Sequence, residues 1–319
     1  MAAAVSAALS PDVPNYLAGV ESRIRTLHAE ESRRWAAVDG RLQPAVDAIA
    51  RLAASGGKRL RALFAYWAFI GAGGDPDASL IVDAGAALEL IHLAALIHDD
   101  VMDASTLRRG LPTLHVGFAE MHRRREWPGD ADEFGAASAI VLGDLALFHA
   151  DCLLAEMPRE AHNVVAGLKL EMAMGQYLDL RATAAGGADA ETALRVALYK
   201  TARYSVERPL HLGACLAARL EELAPSLSAY GIPLGIAFQL ADDLLGAFGD
   251  PAETGKPVGD DARQGKPTLL LATGDRSEVE RTVERLVDDA VRAVSRSGLE
   301  SEAKIALIEL ASFVKARCS

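Results

Sequence analysis

Three aspartates, Asp99, Asp100 and Asp103, stand within the stretch DDVMD, directly after an almost uncharged apolar run. Residues three and four apart share one side of a helix, so the three carboxylates are expected to project from a single turn. Two such charges about 4 Å apart repel by about 4 kcal/mol at an effective dielectric near 20, which calls for a nearby cation. Oxygen ligands without His or Cys favour a hard ion, Mg²⁺ before Ca²⁺ or Mn²⁺.

Two arginines, Arg108 and Arg109, follow this cluster at the distance of a short loop. Guanidinium groups suit bidentate contacts with phosphate. An isolated DDxxD is most often a solvated acidic helix end, but here the carboxylates close an apolar helix, where the helix dipole disfavours anions. The pattern therefore favours a metal site combined with a phosphate site.

A second acidic pair, Asp242 and Asp243, closes another apolar helix and precedes a Gly-rich loop that contains Lys256 and Lys266. Two carboxylate walls that face each other across a helical bundle could hold several Mg²⁺ ions around one diphosphate. The lysines would supply the remaining positive charge. The sequence thus indicates chemistry on a diphosphate.

Helical periodicity runs through most of the chain, since apolar residues recur at spacings of three and four and strand-like alternation is missing. We predict ten or more helices and no sheet. No linker or change in composition divides the chain, so a single all-α domain over residues 1–319 is expected. The helix predicted at 78–98 is apolar on more than one face, which indicates burial inside the bundle.

The composition excludes several functional classes. The 33 Lys and Arg against 44 Asp and Glu give a net charge of −11, which disfavours binding to nucleic acid or to an anionic membrane surface. Three distant cysteines provide neither a disulfide framework nor a CxxC metal site and fit a reducing cytoplasm. No signal peptide and no uncharged apolar run of about 18 residues is evident, so no transmembrane segment is expected.

Four segments, in order, resemble the motifs of the trans-isoprenyl diphosphate synthases, or polyprenyl synthetases, across about residues 50–270. GGKRLRA at 56–62 is similar to the GGKxxRP motif, and DDVMD with its following RRG is similar to the first aspartate-rich motif. KT at 200–201 is similar to the mid-chain Lys-Thr pair. FQLADD with two GK pairs is similar to the second aspartate-rich region. The first of these aspartate-rich stretches resembles bacterial versions in particular.

The resemblance implies an isoprenoid synthase fold, an orthogonal helical bundle around a central apolar cavity. It also implies a cytoplasmic homodimeric enzyme that joins isopentenyl diphosphate head-to-tail to an allylic diphosphate after Mg²⁺-assisted ionisation. A non-catalytic subunit of a heteromeric synthase is an alternative, but this chain keeps the motifs that such subunits lose. A terpene cyclase or squalene synthase type enzyme would not require GGKRLR and Arg109 for a second diphosphate.

By position, the resemblance gives each matching residue a role. About three Mg²⁺ ions would be held by Asp99, Asp100, Asp103, Asp242 and Asp243. The allylic diphosphate would contact Arg108, Lys200, Lys256 and Lys266. Isopentenyl diphosphate would contact Lys58, Arg61, His92 and Arg109. The reacting centre would be lined by Thr201 and Gln239.

Two positions depart from the family pattern. Ala62 replaces the usual proline of the first motif, which concerns a helix start more than the chemistry. Gly246 stands where many members carry a third aspartate in the second region, so that side offers two carboxylates. The ligand set is affected, while the expected activity is not.

Product length is expected to depend on the helix before Asp99. In the resembling family, large aromatic side chains four or five residues before that aspartate block the tunnel, and here those positions are Ala95 and Ala94. Ile91 and Leu88 would form the next floor. We therefore predict products longer than 15 carbons, with geranylgeranyl diphosphate favoured and a chain of 25 carbons or more as the alternative.

Overall fold

A computed structural model describes residues 12–187, 189–249, 263 and 265–316. Helices make up nearly all of its regular structure, as predicted. They are α1 (Asp12–Val38), α2 (Gln43–Ala54), α3 (Leu60–Gly71), α4 (Ser79–Met102), α5 (Leu114–Arg124), α6 (Ala131–Leu154), α7 (Arg159–Ala184), α8 (Ala190–Val196), a π-helical segment (Ala197–Glu207), α9 (Arg208–Leu216), α10 (Leu220–Phe248), α11 (Leu269–Thr273), α12 (Arg276–Ser295) and α13 (Ser301–Lys315).

The helices group into two compact units. The first contains the chain up to Pro14, Lys58–Ile81 and the chain from Met157 onward, while the second contains Asn15–Gly57 and Val82–Glu156. The first acidic cluster thus belongs to the second unit, and the Lys-Thr pair and the second acidic pair belong to the first. The single domain over residues 1–319 stays a prediction.

A short β-hairpin corrects the expectation that the chain has no sheet. Strand β1 (Leu107–Arg108) pairs antiparallel with β2 (Leu111–Pro112). The two residues between them, Arg109 and Gly110, both have positive φ, 53° and 75°, as a type I′ turn requires. Two-residue strands are too short to produce an alternating pattern, which is why periodicity missed them. The hairpin places Arg108 on a strand and Arg109 in the turn.

Helix α4 is the buried helix that the sequence predicted. It has buried residues around its whole circumference, including the consecutive Ala86, Ala87 and Leu88. Helical hydrogen bonding continues one residue beyond its end, because Asp103 N donates to Asp99 O at 2.8 Å. The three aspartates are therefore held on the last turn of a core helix.

Among the described residues, three helices, α4, α6 and α10, are long and apolar enough to cross a membrane by length and composition alone. In α4, Asp83 and Glu89 interrupt the uncharged run, so the sequence did not predict that this helix has the length and composition of a membrane span. In α4, 67% of the apolar window is buried inside the protein. Most of the apolar residues of α4 are therefore explained by packing inside the protein.

The π-helical segment lies against glycines of its neighbours in the first unit. A Cβ on Gly175 of α7 would be 2.3 Å from Lys200 N, and one on Gly235 of α10 would be 2.3 Å from Ala202 Cα. Glycine is therefore required at both positions for the backbones to approach this closely. π-helical turns are rare and recur at functional sites, and this one carries the Lys-Thr pair.

We expect Gly235→Ala to lower the free energy of unfolding by about 1–3 kcal/mol, because the new methyl group meets backbone that cannot move aside freely. The matched control is Gly167→Ala in α7, where the nearest atom to the added Cβ is 3.9 Å away on an arginine side chain, an ordinary van der Waals contact. That variant should equal or exceed the wild type in urea unfolding. Equal stabilities for the two variants would contradict the close approach.

Candidate functional site

The first acidic cluster contains a buried ion pair in the second unit. Asp100 is 2% exposed and accepts hydrogen bonds from Arg108 Nε at 2.8 and 2.9 Å and from Nη2 at 2.6 Å. The side chain of Arg108 is itself largely buried. Asp99 and Asp103 are partly exposed. The hairpin thus places Arg108 against Asp100 in the last turn of α4.

The charge of Arg108 is fixed by the whole cluster. Burial lowers the pKa of its guanidinium, but the hydrogen bonds and charge of Asp100, with the charges of Asp99 and Asp103, outweigh burial and raise that pKa above its ordinary value. This donor set, with carboxylate oxygens alone, fits Mg²⁺ by its chemistry.

The predicted metal ligands do not converge within the described residues. Within the described part of the chain, no group of three or more His, Cys, Asp or Glu side chains is placed to hold a metal ion. Asp100 faces Arg108 instead. An ion on this cluster would therefore share Asp100 with the guanidinium or replace it.

Arg109 lies against the two glycines of the first motif. Its Nη1 donates to Ser55 Oγ at 3.2 Å and to the carbonyl oxygen of Gly56. A Cβ on Gly57 would be 3.1 Å from Arg109 Nη2. The structure thus joins the glycines that begin GGKRLR to RRG, although the two motifs are about 50 residues apart in the chain. His92 is partly exposed on α4, two turns before Asp99.

Lys58 and Arg61, two of the basic residues of the first motif, belong to the first unit. Lys58 Nζ lies 5.3 Å from the ring centre of Phe313, and the Arg61 guanidinium lies 4.4 Å from that of Tyr204. Arg61 Nη2 also donates to Ser205 Oγ at 2.7 Å. Aromatic faces stabilise both cations, and Arg61 is anchored to the π-helical segment.

Thr201 and Gln239, predicted at the reacting centre, are hydrogen-bonded to each other. Thr201 Oγ1 donates to Gln239 Oε1 at 2.5 Å, and Gln239 Nε2 donates to Asp243 Oδ1 at 2.7 Å. Thr201 and Asp243 are buried, and Asp242 beside them is partly exposed. This chain links the Lys-Thr pair to the second acidic pair within one unit.

Asp179, which was not predicted from the sequence, forms ion pairs with two of the predicted lysines. Asp179 Oδ2 lies 2.5 Å from Lys200 Nζ and 3.5 Å from Lys266 Nζ, and Asp179 is 3% exposed. The available signal was a lone carboxylate in the apolar stretch GQYLDL, four residues after Gly175. Lys256, the remaining predicted lysine, lies outside the described residues.

The four predicted chain-length residues differ in exposure. Leu88, Ile91 and Ala94 are at most 1% exposed, whereas Ala95 is partly exposed. Ala95 is also nearest to the aspartates at the end of α4. Of this set, its side chain alone borders space that solvent reaches.

A pair of buried histidines lies in the second unit, away from these residues in sequence. The rings of His28 and His149 are 5.7 Å apart, and His149 Nε2 is 3.8 Å from Glu31 Oε2. Burial, with a smaller contribution from His149, lowers the pKa of His28 to about 4. Burial also lowers the pKa of His149, and Glu31 opposes that shift.

Comparison with known proteins gives one consistent group. The polyprenyl synthetase family profile matches residues 43–297. A geranylgeranyl diphosphate synthase of Mycobacterium tuberculosis is 34% identical over 84% of this chain and 73% of its own length. A geranylfarnesyl diphosphate synthase of Aeropyrum pernix is 32% identical over 76% of this chain and 75% of its own length.

A solved structure shares the fold over nearly the whole chain. It is a geranylgeranyl pyrophosphate synthase from Corynebacterium glutamicum, complexed with isoprenyl diphosphate and magnesium. It is 33% identical to this chain, superposes with a TM-score of 0.90, and the match covers 95% of this chain and 98% of that one. The similarity confirms the predicted all-helical isoprenoid synthase fold.

The buried pair predicts a difference between neighbouring aspartates. Asp100→Ala should lower the free energy of unfolding by about 3–5 kcal/mol, because the buried Arg108 charge loses its partner. Asp99→Ala is the matched control and should change it by about 1 kcal/mol or less, since Asp99 is partly exposed. Urea unfolding measures both. A similar loss in the two variants would contradict the special pairing of Asp100.

The histidine pair predicts acid sensitivity. The folded-state pKa of His28, about 4, lies below the ordinary 6.5, so the unfolded chain binds protons first and stability falls as pH drops from 6.5 towards 4. The free energy of unfolding is therefore lower at pH 5 than at pH 7.5, and His28→Gln should make this difference smaller by about 2 kcal/mol. The control is His162→Gln on an exposed position. Equal pH dependence in His28→Gln and wild type, measured by urea unfolding, would refute the assignment.

Proposed function

The chain belongs to the polyprenyl synthetase family and is a prenyltransferase that elongates isoprenyl diphosphates, and from this premise we propose that its product is geranylgeranyl diphosphate. The observation that carries the proposal is the pair of small residues, Ala94 and Ala95, directly before the first acidic cluster. A product of 15 carbons would need a bulky stop there. The geranylfarnesyl relative from Aeropyrum pernix favours a longer product as the second candidate.

We infer that the two acidic clusters hold about three Mg²⁺ ions, with Asp99, Asp100, Asp103, Asp242 and Asp243 as ligands. Mg²⁺ is used by the family and supplies positive charge that stabilises a departing diphosphate. The allylic diphosphate is bound by Arg108, Lys200, Lys256 and Lys266. Isopentenyl diphosphate is bound by Lys58, Arg61, His92 and Arg109.

The hydrogen-bonded chain from Thr201 through Gln239 to Asp243 supports the placement of the reacting carbons. Each link fixes the orientation of the next side chain, so the oxygen dipoles of Thr201 and Gln239 are set before substrate binds. Cleavage of the allylic C–O bond leaves a carbocation, the isopentenyl double bond attacks it, and the departing diphosphate takes the proton that is lost. An apolar enclosure keeps water from quenching the cation.

A homodimer in the cytoplasm completes the proposal. Large apolar side chains are exposed on α6, where Val141 is 64% and Phe148 62% exposed, and on α7 at Leu170, Met174 and Tyr177. Apolar surface of this kind on helix faces favours association with a second copy. A non-catalytic role in a heteromeric synthase is disfavoured because the motif residues are present.

One assay tests the proposed function. Purified protein is incubated with Mg²⁺, isopentenyl diphosphate and, separately, dimethylallyl, geranyl or farnesyl diphosphate, and the dephosphorylated products are sized by mass spectrometry. We expect a 20-carbon alcohol as the main product. Products of 15 carbons or fewer, or of 25 and more, would overturn the proposed chain length, and no product with any starter would overturn catalysis.

Ala95→Phe is expected to shift the main product to 15 carbons or fewer, because Ala95 borders accessible space next to the aspartates and an aromatic ring there obstructs the growing chain. Ala95→Ser is the control and should leave the product unchanged, since it adds little volume. The same mass analysis measures both variants. An unchanged product in an active Ala95→Phe protein would place the floor elsewhere.

A further inference from the structure

Asp179 is a buried carboxylate that forms ion pairs with two lysines from distant parts of the first unit. Lys200 comes from the π-helical segment, and Lys266 lies three residues before α11. Both Nζ atoms are directed at the same oxygen, Oδ2, at 2.5 and 3.5 Å. Because a buried charge is stable only when it is paired, Asp179 and the two lysines constrain one another.

The backbone beside Lys200 is held by the same face of α7. Gly175 precedes Asp179 by four residues, about one helical turn, and a Cβ there would be 2.3 Å from Lys200 N. The glycine admits the backbone of the π-helical segment and the aspartate receives its ammonium group. The main chain and the side chain of Lys200 are therefore positioned by one turn of α7.

We propose that Asp179 is a positioning residue that sets Lys200 and Lys266 together for one diphosphate, an inference that rests on the proposed function. Asp179 holds the two ammonium groups side by side on one oxygen, where both can attract an anionic ligand. Fixing the lysines before binding lowers the entropy lost when the ligand is bound. Asp179 itself does not contact the substrate in this account, since it is anionic and acts through the lysines.

Glu171 provides a matched comparison on the same helix. It lies eight residues before Asp179 and accepts hydrogen bonds from Arg203 at 3.0 Å and from Arg208 at 2.6 and 2.8 Å. It therefore attaches the same π-helical segment to α7 through an ion-pair network. Its partners, however, are not among the residues matched to a diphosphate. A purely structural role for Asp179 predicts that the two carboxylates behave alike.

The test compares steady-state kinetics of the full chain as wild type, Asp179→Asn and Glu171→Gln with isopentenyl diphosphate and an allylic diphosphate. Asp179→Asn is expected to raise the KM for the allylic diphosphate by about 10- to 100-fold, the usual effect of losing a charged hydrogen bond. The KM for isopentenyl diphosphate should change by less than about threefold. In Glu171→Gln the ratio of the two KM values should stay as in the wild type.

Three outcomes would overturn the inference. The first is an equal rise of both KM values in Asp179→Asn, and the second is the same KM ratio in Asp179→Asn and Glu171→Gln. The third is that Asp179→Asn raises the allylic KM of the Lys200→Gln variant by as large a factor as it raises that of the wild type. Should Asp179→Asn fail to fold, Asp179→Glu keeps the charge but displaces it, and an unchanged allylic KM in that variant would also overturn the inference.

The proposed function and the inference can fail separately. An inactive wild type would contradict the function alone, and binding of inorganic pyrophosphate with Mg²⁺, measured by calorimetry, would then test Asp179 directly. Weaker pyrophosphate binding in Asp179→Asn than in Glu171→Gln supports the inference. Equal binding by the two variants contradicts it.

Discussion

Within each unit, the predicted site residues place charges in the protein interior, and these charges must be stabilised before any ligand binds. Unpaired buried charges are unstable, so each must have a partner of opposite sign. Three ion pairs meet this need. Asp100 pairs with Arg108 in the second unit, and Asp179 pairs with Lys200 and Lys266 in the first. In each, residues suited to metal or diphosphate are first satisfied by one another.

Irregular backbone is what brings these partners together. The turn at Arg109 and Gly110 has positive φ at both residues and returns Arg108 to the end of α4. The π-helical segment, seated on Gly175 and Gly235, carries Lys200 and Thr201. Regular helices supply rigid support, while several predicted site residues, among them Arg108, Lys200 and Thr201, lie where helical geometry ends or widens. Such departures are frequent at sites that must fix groups in advance.

The sequence predicted the features that depend on local pattern. Periodicity gave the helices, and the spacing of Asp99, Asp100 and Asp103 correctly indicated charge at the end of a core helix. The hairpin was missed because its strands have two residues each. Asp179 was missed because its partners are 21 and 87 positions away in the chain, a separation no local pattern reports. The π-helical segment depends on close approach by two glycines of other helices, which is a tertiary effect.

The most direct measurement is calorimetric titration of the wild-type protein with inorganic pyrophosphate, with and without Mg²⁺. If the carboxylates and cations of the site satisfy one another until metal and diphosphate bind together, each ligand should strengthen the binding of the other. We predict pyrophosphate binding that tightens at least about tenfold in the presence of Mg²⁺. Equal affinity with and without Mg²⁺, or no binding at millimolar pyrophosphate, would contradict the account.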